Sequence, residues 1–345
     1  MTTPVTLKHI AREVNKTVVT VSKALRNHPD ISKQTREEVL QVARRMEYTP
    51  NLIARRLSSK TTRSIGLVVP HIVHPFFAQS IEAVYEEAHR REYDIILMLT
   101  DEDDGLERQH IQSLLAMRVD GFLISVSEKT KDTKIFETIL NHGKKLVFFD
   151  RIIEGLDCGR VVCDNFQGML DLVSFAIGNG YKEIGFLAGY DDISIGRERN
   201  RGFETAMKKA GFTIRPEWVV QGGFGQKDGY QGFMVMKKAG PLPRLLVTVS
   251  YAAAMGAMQA IRNAGLTIPG DIDLIAFGDS EFNQFLNPAL TVSRLQAKEM
   301  GRRALELLIE SVESGDASSR EIIIPTHLMI HCTGWNNTEK GREVI

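Results

Sequence analysis

From residue 64 onward the chain repeats one alternation, a short β-branched apolar run followed by a longer amphipathic stretch. The runs fall at 64–70, 94–100, 121–125, 146–150, 160–164, 183–189, 245–250 and 273–277. They are continuous rather than alternating apolar and polar, so both faces of each strand need covering, as in a parallel sheet flanked by helices. The fold class that follows is a doubly wound α/β architecture. About 270 residues of this pattern exceed one ordinary domain, which predicts two similar lobes with a ligand cleft between them at the carboxyl ends of strands.

The first 63 residues break the pattern and read as helices. Leu7, Ile10, Ala11 and Val14 recur at helical spacing, with Thr6 placed as an N-cap. Asn15 and Lys16 interrupt, Thr17 can cap a second helix running to about Asn27, and His28, Pro29 and Asp30 break it. Ser32 can cap a third helix, in which Val39, Val42, Ala43 and Met46 share a face. It must stop before Tyr48, Thr49 and Pro50, because proline disfavours helix in the residue ahead of it.

The net charge of zero hides an asymmetry. Residues 1–63 hold 13 Lys and Arg against 5 Asp and Glu, a surplus of eight that the rest of the chain cancels. A basic head on an acidic body is expected where only the head meets phosphate. Cys158, Cys163 and Cys332 form no paired motif and read as reduced packing residues. The N-terminus has no apolar leader and no run reaches membrane-spanning length, so a cytoplasmic protein with no membrane partner is expected.

On the second helix, a buried side centred on Val21 takes in Thr17, Ala24 and Leu25. The opposite face then carries Val19, Ser22, Lys23 and Arg26, with Val18 at its edge. Cations suit guanine edges or phosphates, and a valine suits a thymine methyl, so this face fits a major groove. Periodicity alone leaves the solvated face of a small helical bundle equally open.

Specific stretches then carry a family resemblance. They are Thr6 to Ala11, Thr20 to Leu25, Tyr48 to Asn51 with Ala54 to Leu57, Ile65 to Leu67, Val119 to Gly121, Gly202 with Phe203, Ile268 to Asp271, and Pro288 to Thr291. In order and in combination they resemble the lactose-repressor family of bacterial transcription regulators, over almost the whole chain. The resemblance implies a helix-turn-helix headpiece joined to a periplasmic-binding-protein-like sensor, acting as a homodimer on a pseudo-palindromic double-stranded operator. It places Val18, Val19 and Lys23 at base edges, Thr17, Ser22 and Ser32 near backbone phosphates, and Thr6 among the DNA-binding residues. Residues 51–59 match the family's hinge helix, with Asn51, Ala54 and Arg55 in the match and Leu57 as a minor-groove wedge; a flexible basic linker is the alternative. The implied division is a headpiece at 1–49, a hinge at 50–63, a sensor at 64–334 and a tail at 335–345. Within the sensor, one lobe takes 64–163 and 293–321 and the other 164–292 and 322–334.

For the sensor, the resemblance nominates His74, Phe76, Phe77, Asp101, Asp150 and Arg151 from the first lobe. From the second come Asp164, Asn165, Arg197, Phe224, Ser250, Tyr251 and Asp279. Carboxylates accepting hydroxyl hydrogens, a guanidinium donating twice and aromatic faces make a coherent site for a small polar effector, a sugar or sugar derivative. Phe77 reads equally as core, and His74 as a loop cap. Tyr251 and Gly278 stand where the family carries aspartates, pointing to a ring-bearing, acidic or larger effector. No phosphate loop, nucleophile elbow or zinc-helix motif is complete, so no catalytic residue, metal or cofactor is expected. The expected function is a ligand-controlled repressor of a carbohydrate-utilisation operon. An activator or dual regulator of the same architecture, or a sugar-processing enzyme with a helical head, are the alternatives.

Overall fold

The computed structural model describes residues 5–25, 27–48, 61–315 and 319–334. The chain forms two compact units that divide between Thr62 and Arg63. The first holds α1 (Leu7–Glu13), α2 (Val18–Leu25) and α3 (Lys33–Arg45). Its core is small, built on fully buried Ile10, Val21 and Val39 with Ala11, Val14, Ala24 and Ala43 around them. Asn15 adopts φ 47, a left-handed conformation that asparagine tolerates and that turns the chain from α1 into α2. α2 ends at Leu25, slightly earlier than expected, and Asn27 repeats the left-handed turn at φ 57.

The second unit begins with β1 (Ser64–Val69), α4 (Pro75–Arg90), β2 (Asp94–Leu99), α5 (Asp104–Ala116), β3 (Gly121–Ile124), α6 (Lys134–Asn141), β4 (Lys145–Phe149) and β5 (Gly159–Cys163). The chain then crosses to a second lobe with α7 (Asn165–Gly178), β6 (Ile184–Ala188), α8 (Ser194–Lys209), β7 (Val219–Gln221), α9 (Gln226–Ala239), β8 (Leu245–Thr248), α10 (Tyr251–Asn263), β9 (Asp273–Phe277) and β10 (Val292–Arg294). It returns through α11 (Ala297–Ser314) and β11 (Glu321–Ile324), and ends its described part on β12 (His327–Met329).

The two sheets share one winding, β2-β1-β3-β4-β5-β11 and β7-β6-β8-β9-β10-β12. Every pairing is parallel except that of β10 with β12. This is the expected two-lobed α/β fold, and each strand order reverses beside the first strand of its lobe, where such sheets open a crevice. One core joins β1 and β4 to α4 and α11; another packs α7 and α8 on β6, β8 and β9. Gly256 lets α10 approach α9 closely, since a Cβ there would lie 1.8 Å from the Gln226 carbonyl oxygen.

Three details differ from the sequence reading. The lobe divisions after 292 and after 321 move, because Val292–Arg294 pairs with β9 and Glu321–Ile324 pairs with β5. Strands of three or four residues at a sheet margin carry too little pattern to assign. Pro70, Thr100, Ser125, Asp150 and Gly189 lie past the ends of the ladders and open the loops that follow. Cys158 and Cys163 are buried, whereas Cys332 is exposed. Among the described residues no helix is long and apolar enough to cross a membrane.

Candidate functional site

In the first unit, α2 buries Val21 and Ala24 and leaves Val19 64% and Val18 38% exposed. Thr17 caps this helix, its Oγ1 accepting the Thr20 N–H at 3.1 Å. Ser32 caps α3 in the same way through the Thr35 N–H at 3.3 Å, and Thr6 stands exposed ahead of α1, its N–H donating to His9 Nδ1 at 3.3 Å. Ser22 is half-buried. Lys23 Nζ lies 3.0 Å from Asp30 Oδ2, and His28 Nδ1 is 3.3 Å from the same oxygen. The hydrogen bond from Lys23, then the charge of His28, hold the Asp30 carboxyl below its ordinary range. The nominated hinge residues Asn51, Ala54, Arg55 and Leu57 lie outside the described residues, as does Arg26.

In the second unit, a cavity of about 520 Å³ opens at the carboxyl ends of strands from both sheets. One wall comes from the loops after β1, β2, β3 and β4. There Arg151 is buried, with Nη1 2.8 and 2.9 Å from the Glu102 carboxylate oxygens and Nη2 3.5 Å from Glu128 Oε1. Burial drives the Glu128 carboxyl up to about 7 despite the opposing pull of Arg151. His74 caps α4, its Nδ1 accepting the Phe76 N–H at 3.3 Å. Burial, reinforced by Arg151 and Arg199, drives its imidazole down to about 4, so it is neutral at physiological pH. Asp150 is buried at φ 60, and desolvation raises its carboxyl pKa.

The opposite wall is built by α8, the start of α9, the β8 to α10 junction, and the ends of β9 and β10. Arg199 lies over the Phe277 ring, 4.0 Å from its centroid, and donates from Nε to Asn165 Oδ1 at 2.8 Å and from Nη1 to the Val249 carbonyl at 2.9 Å. Asp279 is held by Arg294 at 2.7 Å. Phe224 stands beneath both arginines, 5.6 Å from Arg151 and 5.9 Å from Arg199. A fixed set of polar groups among aromatic walls binds and orients a small polar molecule.

Two family models match the two units in turn. Residues 6–51 match the bacterial regulatory proteins of the lacI family, and residues 62–332 match the periplasmic binding proteins and sugar binding domain of that family. The chain belongs to the lacI family. It is therefore a DNA-binding transcription regulator with a sugar-binding-type sensor domain. Among its relatives, the HTH-type transcriptional repressor PurR of Haemophilus influenzae (strain PittEE) is 32% identical over 317 residues, covering 90% of this chain and 92% of the relative. The PurR of Pasteurella multocida (strain Pm70) is 30% identical, covering 93% and 96%. A putative ribose operon repressor from Burkholderia thailandensis superposes with a TM-score of 0.72 at 29% identity, over 77% of this chain and 98% of that one. The Lac repressor dimer bound to operator and the anti-inducer ONPF superposes with a TM-score of 0.85 over 97% and 100%; at 22% identity this is a likeness of fold.

Of the nominated effector residues, His74, Phe76, Phe77, Arg151, Phe224, Tyr251 and Asp279 line the cavity, with Asp150 and Ser250 beside them. Three nominations are corrected. Arg197 is half-exposed and paired with Glu154 at 2.5 Å, while Arg199 lines the cavity. Positions two apart on a helix are separated by about 200°, so the two arginines face opposite ways. Asp101 is exposed in a left-handed turn beside His71, and Glu102, one residue on, turns inward. Asp164 caps α7 by accepting the Gln167 N–H at 3.0 Å. Sequence reading also missed Glu102, Glu128 and Arg199. Arg199 was findable, because it falls in the buried stripe of Ile195, Phe203 and Met207 on α8.

Proposed function

We propose that this regulator is a repressor that reads a pseudo-palindromic operator as a homodimer in the cytoplasm, under allosteric control by a small polar effector in the cavity of its second unit. The observation that carries this reading is the pair of exposed valines on α2, beside Lys23. An apolar surface held out by a capped helix has no packing role, and it suits contact with thymine methyls in a major groove. Val18, Val19 and Lys23 then read bases, Thr6, Thr17, Ser22 and Ser32 hold phosphates, and residues 51–57 add minor-groove contacts through Leu57. The repressor names of the PurR relatives favour repression over activation.

The effector is a sugar or sugar derivative held by Phe77, Arg151, Phe224, Tyr251 and Asp279, with Arg199 taking the clamping role in place of Arg197. We read the cavity as a binding site rather than a catalytic one: Glu102 pairs with Arg151 and Asp279 with Arg294, so these acids are committed to the cavity's frame. Selection of bound fragments from random DNA, followed by anisotropy titration at several salt concentrations, tests the reading. A palindromic consensus whose affinity falls steeply with salt is expected. Binding without sequence preference would overturn it.

A further inference from the structure

Helix α5 turns one buried stripe inward, made by Glu107, Ile111 and Leu114 at helical spacing. Ile111 and Leu114 pack in an apolar cluster with Phe122, Phe136 and Phe148. Glu107 is 1% exposed in the same stripe, and it lies outside the cavity lining. Burying a carboxylate there is costly, and an apolar residue would complete the stripe at lower cost. Packing therefore does not account for Glu107.

Its hydrogen bonds do. Oε2 accepts the Ser127 N–H at 2.8 Å, and Oε1 accepts the Thr130 hydroxyl at 2.7 Å. Ser127 and Thr130 are the two ends of a tight turn, closed by the Thr130 N–H on the Ser127 carbonyl at 3.2 Å. One carboxylate thus grips both ends of the turn that carries Glu128. The Ser127 hydroxyl shares a hydrogen bond of 2.7 Å with Thr100, which ties the same turn to the end of β2. Burial raises the Glu107 carboxyl above its ordinary range, against the hydrogen bonds from Thr130 and Ser127, and Asp104 adds to the rise.

The far side of the turn faces the cavity. The Glu128 N–H donates to Glu102 Oε2 at 2.7 Å, and Glu128 Oε1 stands 3.5 Å from Arg151 Nη2. Glu102 in turn holds Arg151 Nη1. Besides Arg151, the charged groups acting on Glu128 are Glu102, Asp228 and Lys129. The turn therefore links the buried face of α5 to the acids around Arg151.

We propose that Glu107 is a positioning residue of the effector cavity: by gripping both ends of the 127–130 turn, it holds Glu128 out of water and against Arg151. It touches no ligand itself. The assignment rests on the sensor reading above and adds a residue to it. A loosened turn lets Glu128 swing into solvent, where its ionisation returns to the ordinary carboxylate range, and leaves Arg151 with one acid instead of two.

Thermal unfolding of the full-length protein across a pH series, without ligand, tests this. Glu128→Gln removes the cost of ionising a desolvated carboxyl, so it should gain melting temperature over wild type as pH rises from about 4.5 to 7. Introduced into Glu107→Ala, the same substitution should gain less than about a third as much, because Glu128 is then solvated. Glu107→Gln keeps an acceptor for the Ser127 N–H and offers an amide donor to the Thr130 oxygen, so in that background the gain should return in full. Should Glu107→Ala not fold, Thr130→Val removes one of the two grips at a half-buried position and should cut the gain by about half. A residue that only fills space would lower melting temperature equally across pH and leave the gain intact. That result, a Glu107→Gln background that behaves as Glu107→Ala does, or no gain in wild type itself would overturn the assignment. Because no ligand enters the test, each of these outcomes leaves the sensor reading standing, and a cavity found to bind no sugar would leave the grip on Glu128 standing.

Discussion

Helix α2 of the first unit and the cavity of the second hold the same kind of pair, a cation against a carboxylate, at opposite extremes of solvent access. The side chains of Lys23 and Asp30 are 35% and 60% exposed, whereas those of Arg151 and Glu102 are 7% and 18% exposed. Water screens the first pair, so Lys23 can leave Asp30 for a phosphate or a base edge at little cost. The second pair has already lost its hydration, so neither partner can leave without stranding the other. One ion pair is therefore an exchangeable resting contact, and the other is part of the cavity's frame.

The sharpest way to break that comparison is Arg151→Ala. With the half-buried Glu102 and Glu128 deprived of their guanidinium, unfolding in urea should show a loss of about 3–5 kcal/mol. A loss below about 1 kcal/mol would mean that water reaches this cluster as freely as it reaches Lys23.

Titration gives the next largest effect, and two cavity groups pull in opposite directions. His74, depressed from 6.5 to about 4, gives stability that is present above its ordinary value and lost as pH falls through the folded one. Glu128, raised from 4.5 to about 7, gives stability that is present below its ordinary value and lost as pH rises through the folded one. Relative to wild type, His74→Gln should therefore lose ground from about pH 4 to 6.5, and Glu128→Gln should gain it from about pH 4.5 to 7. Each change should be at most about 3 kcal/mol. Parallel stability curves for the variants and wild type would refute both assignments.

On the exposed side, Lys23→Ala should cost about 1–3 kcal/mol of operator affinity if Lys23 reads a base, with relaxed preference at one position. An equal loss on all sequences would make it a phosphate contact. Asp30→Asn frees Lys23 and should tighten non-specific DNA binding a few-fold at low salt, an effect that vanishes at high salt. No change at low salt would show that Asp30 does not compete with DNA.

The smallest effect is expected from Arg197→Ala. Its partner Glu154 is exposed, so stability and effector affinity should each change by less than about 1 kcal/mol. Loss of the effector response in this variant, with Arg199 intact, would return Arg197 to the ligand.

Much of this arrangement is legible in the order of the residues. The helical spacing of Ile10, Val21 and Val39 fixes the small core of the head and leaves Val18, Val19 and Lys23 outside it. Cavity residues that closely follow a strand, such as His74 and Arg151, are found because a loop at a strand end is a local feature. Glu102 is missed by one residue, because the left-handed turn at Asp101 decides which neighbour points inward. Asp164 is overestimated because a carboxylate that opens a helix can be spent on capping it.

The sequence by itself determined the two units, the alternation that winds the sheets and the exposed face of α2, since each follows from periodicity within one element. Only the tertiary structure decided that Arg151 meets Glu102 and Glu128, which come from three separate loops, and that Arg199 rather than Arg197 lines the cavity. The physical reason is that periodicity records which side of an element is buried. The strand order β2-β1-β3-β4 sets which loop ends meet, and so which buried charges find partners.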